Sequence, residues 1–212
     1  MSTGFWRSVV GWTAVAAVGG GLLFWFGVPI VPSVPGGDLL KSGAPSVVST
    51  KTEGDVLVAA LSDGSHAVSA PAGGYALKVP AGWYMEWVAS SGVTVYPDYS
   101  PASSSYEPLC KIEFYVSPNQ SGTPLEEWVG KKLHEDPTED IVQTSMEAMT
   151  VDGWPAIRWT GTADIYPMIN TYVAVGARIF EIVPVTASGD SLSVAPCMDG
   201  VNAFVSSLKL IP

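Results

Sequence analysis

Imidazole and thiol are scarce in this chain: 212 residues carry two histidines and two cysteines. A histidine-based metal site needs several imidazoles converging, and His66 and His134 stand alone in separate segments. Cysteine nucleophilic catalysis would need Cys110 or Cys197 to lie beside His134 as its base. Motifs with a mechanical meaning are missing too. There is no H-E-x-x-H, C-x-x-C, G-x-S-x-G, glycine-rich phosphate loop or EF-hand pattern. Positive charge is in short supply, with 10 Lys and Arg against 20 Asp and Glu and a formal net charge of -10. Nucleic-acid affinity comes largely from Lys and Arg neutralising phosphates, so no nucleic-acid partner is expected. No catalytic residue, cofactor or metal is expected either.

What the chain has in abundance near its start is apolar sequence. Residues 9–32 read VVGWTAVAAVGGGLLFWFGVPIVP without a charge, and ~20 such residues suffice to cross a bilayer as a helix. A cleaved signal peptide and a buried core helix are the competing readings. The first would be shorter and end in a small-x-small site. A retained membrane span is the reading taken here, with Trp6, Trp12, Trp25 and Phe26 suited to the interfaces. Arg7 is the one basic residue before the run. The positive-inside bias therefore predicts an N-terminus inside and a C-terminal domain outside a bacterial cytoplasmic membrane, single-pass. In an oxidising compartment Cys110 and Cys197 form a candidate disulfide; the competing reading is two buried free thiols.

Residues 33–72 are rich in Ser, Gly and Pro and read as a flexible linker. Within it DVLVAAL, residues 55–61, is a candidate short strand. The folded domain is expected over residues 73–212. Alternation of apolar and polar residues predicts strands at 75–79, 84–89, 92–96 and 109–116. In the last of these Cys110, Ile112, Phe114 and Val116 face the core, and Lys111, Glu113 and Tyr115 face away. Thr123 reads as a helix N-cap, with Pro124 at N1 and Glu126 completing a capping box. Leu125, Trp128, Val129 and Leu133 give that helix its apolar stripe, Glu127 and Lys131 an i,i+4 pair, and His134 its end.

Residues 140–149 read as a strand or irregular edge, and V-D-G-W-P at 151–155 is a tight turn into a strand at 156–160. Gly176-Ala177 separates two strands of a hairpin, and a final helix spans 199–207. The sum is α+β: a mostly antiparallel sheet of about six strands flanked by two helices, preceded by one N-terminal transmembrane helix.

Aromatic residues are a local surplus. Trp83, Tyr84, Trp87, Tyr96, Tyr99 and Tyr106 crowd together, and Tyr99 and Tyr106 flank a Ser- and Pro-rich loop. Tyr99, Tyr106 and Trp87 are the candidate binding groove, since aromatics concentrate where proteins bind partners. Charged candidates are fewer. Glu135, Asp136, Glu139 and Asp140 could offer oxygens to Ca²⁺, but their spacing fits no loop built for it. Asn119-Gln120-Ser121 meets the glycosylation rule.

The order of these segments resembles the PsbP-like family. Y-A-L-K-V-P-A-G-W at 75–83 is similar to its aromatic strand followed by P-x-G-W. The helix at 123–134 resembles the helix that follows its middle strands. V-D-G-W-P-A-I-R at 151–158 resembles its turn into a strand, and F-V-S-S-L-K-L at 204–210 its closing helix and tail. The resemblance implies a binding or scaffolding module with no shared catalytic set. Its photosynthetic members act on a manganese and calcium cluster assembly, a role nothing in these residues requires.

Three functions follow as expectations. The leading one is a non-enzymatic, membrane-tethered, extracytoplasmic domain that binds a protein or envelope component, held to the membrane by residues 9–32. A small envelope hydrolase is the alternative, and it would need Glu113, Glu181 or Arg158 to face one another in a pocket. A ligand- or cation-binding module is the third, requiring a cavity.

Overall fold

Two-residue alternation organises nearly all of the chain that the computed structural model describes, which is residues 45–97, 110–134, 141–163, 166–186 and 195–212. Twelve strands and two helices follow one another among these residues. They are β1 (Val47–Glu53), β2 (Val56–Leu61), β3 (His66–Ala70), β4 (Tyr75–Val79), β5 (Tyr84–Ala89), β6 (Gly92–Tyr96) and β7 (Cys110–Pro118). Then come α1 (Leu125–Leu133), β8 (Ile141–Val151), β9 (Trp154–Ala163), β10 (Tyr166–Val175), β11 (Arg178–Thr186), α2 (Ala195–Ser207) and β12 (Lys209–Leu210). The strands form a five-stranded sheet, β1-β2-β3-β4-β12, and a seven-stranded sheet, β5-β6-β7-β11-β10-β9-β8. Neighbouring strands pair antiparallel throughout, so the fold is α+β.

One core joins both sheets. Val56, Val68, Tyr75 and Leu77 of the first sheet pack with Val93, Ile112, Phe114, Phe180 and Ile182 of the second. Val201 and Phe204 of α2, with Leu208 just after it, complete it. Phe114 is the hub: its ring meets Tyr75 edge-on at 4.9 Å, stacks on Phe180 at 5.8 Å and lies 5.7 Å from Phe204. The core face expected for β7 is thus the observed one, with Cys110, Ile112 and Phe114 buried. A disulfide links Cys110 to Cys197 with a Cα–Cα distance of 5.1 Å, fastening the first turn of α2 to the start of β7.

Helix α1 buries Leu125, Val129 and Leu133 against the opposite face of the large sheet, where Ile157, Trp159, Tyr172 and Ile179 receive them. Its expected ion pair is present, Lys131 Nζ lying 2.6 Å from Glu127 Oε1. His134 Nδ1 sits 2.8 Å from the Gly130 carbonyl at the helix end. The capping box does not form. Pro124 occupies the N-cap without a side-chain hydrogen bond, and the Thr123 amide donates to Asn119 Oδ1 at 3.0 Å. Asn119 also gives its Nδ2 to the Thr123 carbonyl at 2.9 Å. Buried and engaged at both amide atoms, it is not the exposed acceptor that a glycosylation sequon requires.

The expected linker is corrected in part. Of residues 33–72, those from 47 onward supply β1, β2 and β3, so the five-stranded sheet begins well before residue 73. Short apolar runs flanked by Gly54 and Gly64, both at positive φ, turn a Ser/Thr-rich segment into paired strands. The strand count is corrected likewise: within residues 73–212 the described residues hold nine strands, β4–β12, where about six were expected.

The expectation of a preceding transmembrane helix is also corrected. Its segment, residues 9–32, lies outside the described residues. Among the described residues no helix is long and apolar enough to cross a membrane. The longer helix, α2, has 13 residues, which is ~20 Å of helix against a hydrocarbon core of ~30 Å. A signal-anchor, a membrane partner through residues 9–32, and a single-pass placement in a bacterial cytoplasmic membrane all depended on that helix. No described helix carries them.

The two sheets are also tied at the β8–β9 turn. Asp152 and Gly153 both take positive φ, 49° and 82°, as the Asp-Gly type I′ hairpin requires. The Asp152 carboxylate accepts from Lys209 Nζ at 2.7 Å and from the Leu210 amide at 2.9 Å, so one side chain bridges the large sheet to β12. Asp152→Ala removes both bonds and puts Cβ chemistry less tolerant of positive φ in the turn. A loss of about 2 kcal/mol is expected in urea unfolding, with Asp152→Asn losing less.

Candidate functional site

In antiparallel pairs, residues directly opposite share a face of the sheet. Gly92 of β6 pairs with Tyr115 of β7, Tyr115 with Glu181 of β11, Glu181 with Tyr172 of β10, and Tyr172 with Ile157 of β9. This row runs across the face turned away from the shared core. Helix α1 covers the β9–β10 end through Trp128, whose ring lies 6.0 Å from that of Tyr172. The β7–β11 part is left as the floor of an open groove of about 590 Å³.

The C-terminal end of α1 forms one wall with Lys132 and Leu133, and Trp87 of β5 forms another. Trp87 reaches the row because Gly92 has no side chain: a Cβ there would come within 3.2 Å of the indole. Its exposure of 40% is high for so large an apolar ring.

The floor is acidic and polar at its centre. Glu181 is only 6% exposed and accepts a hydrogen bond from the Ser117 hydroxyl on the neighbouring strand. Asn170, 3% exposed, donates its Nδ2 to the Tyr172 hydroxyl at 3.1 Å, and its Oδ1 has no hydrogen-bond partner. Both tyrosine hydroxyls hold their protons tightly. Tyr115 is pushed up to about 12 by burial first, then by its 2.7 Å hydrogen bond to Glu113 and the charges of Glu113 and Glu181. Tyr172 is pushed up to about 12 by burial, partly countered by Asn170, with the Glu181 charge adding to the rise. At both, burial is the larger cause and the nearby carboxylate charges add to it.

Of the expected groove residues, Trp87 lines this groove, while Tyr99 and Tyr106 lie outside the described residues. So do Glu135, Asp136, Glu139 and Asp140. Among the described residues no three His, Cys, Asp or Glu side chains are grouped to hold a metal ion.

The acid–base convergence asked of a hydrolase is not what the strands assemble. Arg158 pairs with Thr171 and Glu147, one residue out of phase with the floor row, and so lies on the other face. Glu113 shares the groove's face but is held by Lys111 and by the Tyr115 hydroxyl. Tyr115, Ser117, Asn170 and Tyr172 were not singled out as site residues by the sequence. The available signals were an acid inside the apolar run R-I-F-E-I-V-P-V-T and the outward phase of Tyr115.

No family model matches the chain, and no curated protein matches it. Solved structures resemble it distantly. The solution structure of cyanobacterial PsbP from Synechocystis sp. PCC 6803 aligns at 14% identity with a TM-score of 0.45, over 70% of this chain and 93% of that one. A protein of unknown function from Pseudomonas aeruginosa aligns at 12% identity and a TM-score of 0.41, over 65% of this chain and 90% of that one. A protein from Bacteroides thetaiotaomicron VPI-5482 aligns at 12% identity and a TM-score of 0.33, over 66% of this chain; the chain spans 46% of its length. Each of these likenesses is distant.

Proposed function

We propose that this chain is a non-enzymatic binding domain and that its ligand lies in the groove between Trp87 and the end of α1. The observation that carries the reading is the groove itself. It is an open trough of about 590 Å³, walled by Trp87, Leu133, Ile141 and Met168, with Glu181 and Asn170 on its floor. Apolar and aromatic walls around a few placed polar groups are what ligand sites commonly present. The placement of the charged groups supports binding over turnover. Glu181 is tied to a serine hydroxyl, Glu113 is turned to Lys111, and Arg158 is on the far face.

The neutral dye Nile red is a suitable probe. It should bind the full chain saturably, and Trp87→Ala should weaken it several-fold by removing one wall. Unsaturable binding, or binding indifferent to Trp87→Ala, would overturn the assignment of the groove. Turnover of p-nitrophenyl esters or glycosides that disappears in Glu181→Gln would establish the hydrolase instead.

A further inference from the structure

The far end of the groove narrows the ligand, and the inference rests on the groove being a binding site. We propose that it takes a small neutral molecule with an extended apolar body and one N–H or O–H donor at its end. The body lies along Trp87 and Tyr115, and the donor meets Asn170 Oδ1.

Three observations converge on that chemistry. First, the floor holds an acceptor without a donor. Asn170 is 3% exposed and its Oδ1 has no hydrogen-bond partner, although its Nδ2 donates to the Tyr172 hydroxyl at 3.1 Å. A buried acceptor left unmade is costly, and a ligand that supplies the donor removes that cost. Asn170 stands two residues before Tyr172 on β10 and so shares its face, with Met168 two residues earlier still. The donor reaches the amide past Met168, whose unbranched thioether is the most adaptable side chain of that lining.

Second, the rest of the lining suits an apolar body of some length. Continuing the β10–β11 register one step beyond Thr171 and Ile182 sets Val183 beside Asn170, and Ile141 and Met168 line the groove with them. Trp87 and Tyr115, 40% and 37% exposed, meet at Gly92. Tyr115 is the partner of Gly92 on β7, and the indole lies 3.2 Å from where a Cβ on Gly92 would stand. Strands β6, β7, β11 and β10 are consecutive in the sheet. The way from Gly92 to Asn170 therefore crosses three strand spacings, ~14 Å, and a ligand that uses both ends is extended.

Third, the charges of the lining are already engaged. Glu181 and Lys132 are its two charged residues, and neither is free. Glu181 also accepts from the Ser117 hydroxyl. A charged ligand would give up its hydration without gaining a vacant counter-charge there, and a neutral one loses far less.

The test compares three probes by NMR on the full chain: 6-phenylhexan-1-ol, its methyl ether, and 6-phenylhexylammonium. The alcohol should shift the Trp87 indole and the Asn170 side-chain amide saturably. The ether keeps the oxygen and loses the donor. Because its extra methyl adds apolar surface, the quantity read is the alcohol-to-ether affinity ratio, in the unaltered chain against Asn170→Leu. That ratio should fall about fivefold in Asn170→Leu, as expected for one neutral hydrogen bond. The ammonium should bind more weakly than the alcohol.

An unchanged ratio in Asn170→Leu, or an ammonium that binds more tightly than the alcohol, overturns the inference. Should Asn170→Leu not fold, the unaltered chain decides: the Asn170 side-chain amide must move with the alcohol and not with the ether. Failure of these contrasts, or silence from the probes, while Nile red binding still depends on Trp87 sinks this ligand class and leaves the groove's binding role standing. Silence from all three probes, together with no saturable Nile red binding, overturns both.

Discussion

Breaking the Cys110–Cys197 bridge should cost about 4 kcal/mol of stability. The bond closes a loop 87 residues long, and the chain-entropy model gives ~4.6 kcal/mol for such a loop, inside the 2–5 kcal/mol lost when native disulfides are removed. Local structure argues for the upper part of that range. Helix α2 has no acidic residue in its first turn and no basic residue in its last, so its dipole is not complemented by charge. What holds α2 down is packing of Val201, Phe204 and the following Leu208 into the core, plus the bridge near its N-terminus. Both sulfur-bearing residues are buried, Cys197 at 0% and Cys110 at 3% exposure.

The double substitution Cys110→Ala, Cys197→Ala avoids a reactive leftover thiol. It should lower the urea midpoint accordingly and the Tm by roughly 10 °C, at ~2–4 °C per kcal/mol for a chain of this size. Reduction of the unaltered protein should produce a similar shift. A change under about 1 kcal/mol would mean that the unfolded chain gains little freedom, and the entropic account would be wrong.

The disulfide also shows what sequence could and could not reveal. Alternation in C-K-I-E-F-Y-V put Cys110 on the core face, and the structure agrees. Nothing in the spacing said that α2 would start opposite it. The β10–β11 hairpin was readable because Gly176 at φ 57° is a turn residue with apolar strands on both sides. Strand β1 was not, because V-V-S-T-K-T-E is mostly exposed and is held in place by backbone pairing to β2. A segment without an apolar face looks like a linker until a neighbour supplies its hydrogen bonds. The capping box failed for a similar reason: Asn119, four residues upstream, takes the Thr123 amide and carbonyl for itself.

The groove was half-readable. Period two tells which residues of one strand share a face, and so it separated Tyr115 from Phe114. It does not tell which residues on different strands stand side by side. Glu181 meets Tyr115 and Tyr172 only through the register of β7, β11 and β10. Nor does it tell how much of a face one short helix will cover. With nine residues, α1 shields the β9–β10 end and leaves β7 and β11 open. Trp87 stands out in the sequence by residue type alone, and in the structure it lines the groove.

Gly92→Ala is the second substitution expected to have a large effect, about 4 kcal/mol, combining overpacking and positive-φ strain at ~1–3 kcal/mol each. Gly92 has φ 151°, and a Cβ built on it would stand 2.0 Å from the Phe114 carbonyl oxygen. That oxygen belongs to the backbone of β7, which cannot retreat without opening the β6–β7 ladder where Gly92 meets Tyr115. The turn is pinned from other directions as well. The Tyr75 hydroxyl is shared between the Ala89 carbonyl at 2.5 Å and the Gly92 carbonyl at 3.0 Å. The Val116 amide donates to Ser91 at 2.8 Å. With the turn unable to slide, the methyl must distort either the ladder or the indole of Trp87 above it.

Gly153→Ala is the matching control. Its φ is 82°, yet nothing lies within 4 Å of its Cβ position, so it carries the dihedral strain without the clash. If the two variants lose the same stability in urea, close approach at Gly92 is not what the position demands. If Gly92→Ala loses clearly more and also weakens Nile red binding, one missing side chain both closes the β6–β7 ladder and lets Trp87 reach the groove.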